Sequence, residues 1–345
     1  MKKYSLLSFM VIFALLLHAQ TNDEPYQTKS LASEAIKNIK VETSGGSISV
    51  AGVSNSEARI EVYIRGNNGK DKNLSKEEIQ KRLDEHYDLN ISVSNNKLTA
   101  IAKPKQRNMD WKKGLSISFR VYSPQAVSTD LNTSGGSIAL KNITGSQDFR
   151  TSGGSLKIEN VGGEIIGRTS GGSIDVENAK DKIDLSTSGG SIHASNCNGN
   201  LKLETSGGSL KLSDLSGQIK ASTSGGSVTG NMIRGELSAH TSGGSIRLED
   251  LSCSLETSTS GGHIDVSLNE LGKYVTITNS GGNINLRIPG NKGVDLKLRG
   301  DKIKTSSLTN FSGSVEDDEI DGKLNGGGIP ITVRAGSGRI DLAMK

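Results

Sequence analysis

The sequence predicts an all-β protein, a β-solenoid of 18-residue coils with a small mixed cap at the N-terminal end and irregular coils at the C-terminal end. Three observations carry the prediction. Gly-Gly pairs that follow a serine open at Gly135, Gly153, Gly171, Gly189, Gly207, Gly225, Gly243 and Gly261, each 18 residues beyond the last, and another opens at Gly281 after 20. Counted from the threonine ahead of each pair, positions 6 and 8 are apolar, as in Ile138 and Leu140, Leu156 and Ile158, Ile174 and Val176. Position 15 carries Ile165, Ile183, Leu201, Ile219, Leu237 and Leu255, while positions 7, 9, 16 and 18 are mostly charged or hydroxylated. Alternation at period two turns one side of each strand inward. A fixed period of this size means stacked units, none able to bury its apolar face alone.

The chain opens Met1-Lys2-Lys3, runs through the apolar block Leu6 to Leu17 and reaches His18-Ala19-Gln20, the order of charge, apolar core and small residue in a secretory signal peptide. Residues 1–19 are therefore expected to be removed and the protein exported. The block is about a dozen residues against the ~20 a spanning helix needs. No later apolar run is longer, so no transmembrane segment is expected after signal removal. Subtracting Lys2 and Lys3 from the formal net charge of +4 leaves about +2, which is no nucleic-acid footprint.

Residues 36–130 are expected to form the N-terminal capping region. Ile39 to Val50 reads as one coil, followed by strands at Arg59 to Arg65, Leu89 to Val93, Leu98 to Ala102 and Leu115 to Tyr122. A helix is expected from Ser75, because Ser75-x-x-Glu78 is a capping box and Ile79 and Leu83 follow at i, i+4 spacing. Residues 131–288 form the regular solenoid, each coil two short strands and two turns, and 289–345 the irregular coils that close it. Position 11, from Ile143 and Val161 to Leu251, tucks inward at the second turn. Cys197 sits at that inward position and Cys253 at position 13 three coils later, ~14 Å away at the usual strand spacing. A disulfide needs Cα atoms within about 7 Å, so both are expected as free thiols.

The glycines Gly135, Gly136, Gly153, Gly154, Gly171, Gly172, Gly189, Gly190, Gly207, Gly208, Gly225, Gly226, Gly243, Gly244, Gly261, Gly262, Gly281 and Gly282 are read as structural turns in which glycine supplies a positive φ. A nucleophile elbow needs Gly-x-Ser-x-Gly before a helix, and a phosphate loop needs a lysine and a helix after its glycines. Neither pattern is present here. Calcium-binding β-rolls place an aspartate at every turn, whereas position 7 here runs Ala139, Lys157, Asp175, His193, Lys211. The position-1 threonines continue the inward alternation as an internal hydroxyl ladder, which leaves no regular outward threonine array for ice. His86, His193, His240 and His263 scatter across the repeat, so no metal site is expected, and no cofactor.

The unit TSGGSIxLxNxxGxIxLxT, the lead-in RVYSPQ at Arg120 to Gln125 and the closing LNGGGIPITVRAGSGRIDL together resemble the bacterial putative-adhesin family of β-strand-repeat domains, over roughly residues 36–345. The resemblance implies an envelope or surface protein and transfers no catalytic residue.

One exposed stretch stands out as a binding candidate, KPKQRNMDWKK, with Lys103, Lys105, Arg107, Trp111, Lys112 and Lys113. It holds the only tryptophan and is placed at a hairpin tip between two cap strands, where a ring beside lysines suits an anionic membrane surface or an acidic glycan. The acidic run Glu316 to Asp321 reads as a soluble loop. The function expected is that of a non-enzymatic exported solenoid presenting a rigid surface to an envelope, glycan or protein ligand, in the periplasm rather than on the outer surface. The alternatives are a structural or assembly protein pairing through its end coils, and a glycan-active enzyme.

Overall fold

A computed structural model describes residues 24–67, 74–106 and 113–345. The expected signal peptide lies outside the described residues. The array is a β-solenoid whose strands stack in parallel with a register of one repeat: Leu156 lies beside Ile174 and Ile174 beside Ile192 on one face, Ile165 beside Ile183 and Ile183 beside Leu201 on the other. Positions 6 to 9 build the first face, and positions 12 to 18, running on to the next threonine, build the second.

The two strands of a coil are separate in Ile138–Lys141 and Thr144–Thr151, and in Ile174–Glu177 and Lys180–Thr187. Further along they fuse into single bent strands, Ile192–Thr205, Leu210–Ser222, Val228–His240 and Ile246–Thr259. The second corner is therefore no separate turn, and two strands with two turns describes only the early coils. The chain bends there through one left-handed residue at position 10: Asn142, Asn160, Asn178, Asn196, Asp214, Met232 and Asp250 have φ of 50–56°. Asn and Asp tolerate this region best after glycine. At position 13 Gly145, Gly163, Gly199, Gly217 and Gly235 lie at φ 99–136°, a region glycine enters without steric cost, and Asp181 takes φ 82° at the same position.

Between these corners the inward columns make one continuous core. Ile143, Val161, Ala179, Cys197, Leu215, Ile233 and Leu251 are all buried, as are the position-15 residues. Gln147 is buried among them because both ends of its amide are satisfied: Oε1 accepts from the Thr129 hydroxyl at 2.7 Å and Nε2 donates to the Val127 carbonyl at 2.7 Å. The Phe149 ring is also fully buried, and it fits because the next coil has Gly167, whose added Cβ would stand 2.6 Å from the ring.

At both ends the stacking order departs from the chain order. Asn38–Thr43 pairs in parallel with both Lys97–Pro104 and Ser128–Thr133, and Ile48–Gly52 with both Leu115–Ser123 and Ile138–Lys141. The coil that comes first in sequence is thus inserted between two later ones. Lys97–Pro104 and Leu115–Ser123 are the two faces of the outer coil and do not pair with each other as a hairpin. The hairpin expected between these two strands is therefore not formed, and Trp111 itself lies outside the described residues. At the far end Ile329–Ala335 lies between Ile264–Asn279 and Val294–Arg299, and Arg339–Met344 between Ile284–Ile288 and Lys302–Thr305. Each terminal coil is gripped from both sides.

Antiparallel strands cover the outer coils: Tyr87–Ser94 on Lys97–Pro104, Arg59–Gly66 on Leu115–Ser123, and Glu319–Leu324 on Val294–Arg299. The expected helix is α1, Lys76–His86, with Ile79 and Leu83 buried. Ser75 Oγ accepts from Glu78 N at 3.2 Å, but the Glu78 carboxylate turns to Arg82 Nε at 2.6 Å, so the box is half formed.

Met232 is the one position-10 residue from Asn142 to Asp250 that is neither Asn nor Asp; its φ is 54° and it is 42% exposed. Met232→Asn should stabilise the fold by about 0.5–1 kcal/mol through relief of left-handed strain, read as a higher denaturation midpoint. An unchanged or lower midpoint would contradict the corner geometry.

Candidate functional site

The Ser-Gly-Gly-Ser arcs are closed by the protein's own hydrogen bonds. Each position-1 threonine is buried, yet its hydroxyl does not run to the next hydroxyl as a ladder would. Thr187 Oγ1 donates to the Gly172 carbonyl of the preceding coil at 2.8 Å and accepts from Gly190 N of its own coil at 3.2 Å. The same clamp recurs at Thr151, Thr169, Thr205, Thr223, Thr241 and Thr259. Asn279 takes it over with an amide, Nδ2 to the Gly262 carbonyl at 2.8 Å and Oδ1 from Gly282 N at 3.2 Å. Position-5 hydroxyls serve as acceptors too, Ser155 N reaching Ser137 Oγ at 3.2 Å and Ser209 N reaching Ser191 Oγ at 3.1 Å.

The glycines of these arcs do not have the positive φ expected of them; none of the pairs from Gly135 to Gly282 falls in that region. They are needed for close approach. A Cβ on Gly172 would lie 2.0 Å from the Gly154 carbonyl oxygen, and second glycines from Gly136 to Gly282 stand within 2.0–2.2 Å of the same contact. A Cβ on Gly171 would meet nothing nearer than 3.6 Å.

The basic stretch is largely committed to the fold where it can be seen. Arg107, Trp111 and Lys112 lie outside the described residues. Lys103 Nζ pairs with Glu42 Oε2 at 2.6 Å, and Lys40 holds the other oxygen at 2.9 Å; the two ammonium groups keep the Glu42 carboxyl below its ordinary range. Lys105 Nζ donates to the Asp84 carbonyl at 2.6 Å, capping the last turn of α1. Lys113 is exposed. In the acidic run, Glu319 is held by Arg299 at 2.7 Å and Asp321 by Lys297 at 3.8 Å.

A better formed site lies on the outward side of Arg59–Gly66 and Leu115–Ser123. Alternation sends Arg59, Glu61, Tyr63 and Arg65 outward from the first strand, and Ser116, Ser118, Arg120 and Tyr122 from its partner. Arg59 stacks on the Tyr122 ring at 3.8 Å and Arg120 on the Tyr63 ring at 4.2 Å. Beneath them the Glu61 carboxylate, 9% exposed, accepts from Arg59 Nε at 2.7 Å and from Tyr63 Oη at 2.8 Å, and Tyr63 Oη in turn accepts from Arg120 Nη1 at 3.2 Å. Burial first, then the bond to Glu61, raises the Tyr63 phenol above its ordinary value. A cleft of about 290 Å³ opens beside Tyr63, lined also by Ser47, Ser49, Ser116, Ser118 and Arg120. Sequence reading missed this cluster, although Arg-x-Glu-x-Tyr-x-Arg is a period-two outward face.

The histidines do not converge. His193 pairs with Asp175 at 3.1 Å, His240 bridges Ser238 and Ser258, and His263 Nδ1 accepts from Asn283 N. No group of three or more His, Cys, Asp or Glu side chains suited to a metal occurs among the described residues. A polar groove of about 520 Å³ between α1 and Tyr87–Ser94 is lined by Tyr26, Gln80, Asp84 and Lys105, whose polar atoms largely bond one another or nearby backbone.

Residues 177–343 match the family model described as Toastrack DUF4097, a β-solenoid-like repeat fold. The family-level expectation drawn from the repeat therefore stands. No curated protein matches the sequence. Similar solved structures include a putative adhesin from Bacteroides fragilis at 12% identity, covering 92% of this chain and 95% of that one with a TM-score of 0.25. A putative adhesin from Parabacteroides merdae, also at 12%, covers 91% and 95% with a TM-score of 0.26. A putative cell adhesion protein from Clostridium sporogenes, again at 12%, covers 92% and 98% with a TM-score of 0.19. At such TM-scores nothing of those proteins' roles passes to this chain.

Gly172→Ala should destabilise the protein by about 2 kcal/mol or more through the backbone clash, and Gly171→Ala by less than about 0.5 kcal/mol. Equal losses in chemical denaturation would refute close approach as the reason for the second glycine. Cys197 and Cys253 are free and buried; burial raises both thiols, that of Cys253 from 9.0 to about 12. Neither should react with an alkylating reagent in the native protein, and both should label after unfolding without reductant. Because the folded state keeps the Cys253 proton that the unfolded chain releases, stability should fall as pH rises from 9.0 to about 12.

Proposed function

We propose that this chain is a non-enzymatic exported β-solenoid that presents a rigid polar surface for an envelope or extracellular partner. The observation that carries the reading is the pinned outward surface. On the parallel stack several outward side chains are held by neighbours one coil away: Lys141 by Glu159 at 2.6 Å, Lys182 by Glu164 at 2.7 Å, Arg168 by Asp184 at 2.8 Å. Such surface pairs add little stability. They fix the positions of charged groups on a scaffold that does not bend, so that a partner meets a preorganised pattern.

A second reading, assembly through the ends, rests on the edge strand Phe311–Val315, which pairs on one side only with Glu319–Leu324 and leaves Val315 57% exposed. The periplasm is the location proposed over the outer surface, and protease accessibility on intact cells tests it.

Immobilised protein should retain a component of envelope extracts or a member of a glycan panel, while His193→Ala and His263→Ala leave every glycan in the panel unhydrolysed, as with the unaltered chain. Glycan turnover lost in either variant would overturn the non-enzymatic reading. A concentration-dependent dimer in light scattering, with no retained partner, would favour assembly.

A further inference from the structure

The cluster around Arg120 has the construction of an oxyanion site. Of its charged groups, Glu61 is spent on Arg59 and Tyr63, and both of its oxygens are occupied. Among the described residues no carboxylate pairs with Arg120, which is exposed and is held by the Tyr63 ring at 4.2 Å and the phenol oxygen at 3.2 Å. A guanidinium held over an aromatic face and hydrogen-bonded at one nitrogen keeps its remaining N–H groups for a ligand, and its planar fork grips a carboxylate or sulfate through two parallel bonds. The walls of the cleft add hydroxyls. Ser118 Oγ accepts from Ser47 N at 3.0 Å, Ser47 Oγ from Ser137 N at 3.3 Å and Ser137 Oγ from Ser155 N at 3.2 Å, and each still has its own proton to donate.

These hydroxyls also give the site a direction. Tyr63 lies opposite Ser118, and the row continues through Ser47 and Ser137 into the position-5 serines of the array, one per coil at ~4.8 Å. A free inorganic anion would use only the head of this row. A polymer with hydroxyls along it and acidic groups at intervals would use both, and a cleft of about 290 Å³ accommodates a single sugar ring rather than a folded domain.

We propose that this cleft binds one acidic residue of an anionic carbohydrate chain, with Arg120 on its carboxylate or sulfate and the serine row on the hydroxyls of the following sugars. The inference rests on the reading of the solenoid as a binding surface, and names the ligand class and the residue that selects it.

The test titrates the full protein with a tetragalacturonate, a heparin-derived tetrasaccharide, a neutral dextran tetrasaccharide and sodium sulfate, by calorimetry at low ionic strength. Binding of an acidic tetrasaccharide is expected, with none of the neutral one, and at least tenfold weaker binding for Arg120→Ala. Arg120→Lys, which keeps the charge without the fork, should lose part of the affinity while thermal unfolding stays unchanged, and Tyr63→Phe, which keeps the ring without the hydroxyl, should lose part of the affinity and lower the unfolding midpoint through the lost bond to Glu61. Arg247→Ala, an exposed arginine on the same face, should bind as the unaltered chain does. Equal losses for Arg120→Ala and Arg247→Ala, equal binding of the neutral sugar, or sulfate binding as tightly as the oligosaccharide would overturn the proposal. If envelope components are retained undiminished by Arg120→Ala, this site fails while the broader reading stands.

Discussion

The structure depends on how closely successive Ser-Gly-Gly arcs approach. At the second glycine the backbone of one coil lies so near the carbonyl of the coil below that an added Cβ would come within 2.0–2.2 Å of it. The threonine three residues earlier makes that approach favourable, because one hydroxyl satisfies the lower carbonyl and the upper amide together. Buried backbone groups left unpaired would each cost about 1–3 kcal/mol. Close approach and polar satisfaction are thus one device, and it sets the register for both faces. Where the repeat lengthens to 20 residues, the longer Asn279 amide spans the same two groups.

A stack held in this way has two raw ends, and the chain treats both alike. The first coil in sequence and the last are each inserted between coils that lie elsewhere in the chain. Every strand of these coils is bonded on both edges, so neither terminal coil can fray without breaking two ladders. The cost falls on folding, since these pairings join distant segments and must wait for loop closure. Antiparallel strands then cover the outer coils, which limits the open edges that would otherwise recruit other chains.

The surface has two characters. Along the array several outward residues are paired across coils, as Lys141 with Glu159 and Lys182 with Glu164, and form a patterned exterior. At the N-terminal end, where Arg59–Gly66 joins the first face, two arginines stack on two tyrosines over a buried carboxylate. Among the described residues only Arg59 of the two is paired with a carboxylate there. That local imbalance, set in a cleft and continued by a row of hydroxyls, makes this end of the molecule chemically distinct from the rest.

By itself the sequence determined the solenoid, its 18-residue coil, the inward columns, the free thiols and α1, because each depends on periodicity or on contacts within one repeat. It also located the Ser-Gly-Gly arcs and their structural role, though not the reason for the glycines, since steric approach between coils leaves no mark that differs from a turn requirement. Only the tertiary structure decided the order of the end coils, because Ile39 to Val50 carries the same pattern wherever it is inserted. It likewise decided what Lys103 and Lys105 meet, since Glu42 and the Asp84 carbonyl come from distant elements. The tertiary structure also brought Tyr63 and Arg120 together, 57 residues apart in the chain and neighbours across an antiparallel pair. Local pattern fixes which way a side chain faces, while strand pairing fixes what it meets.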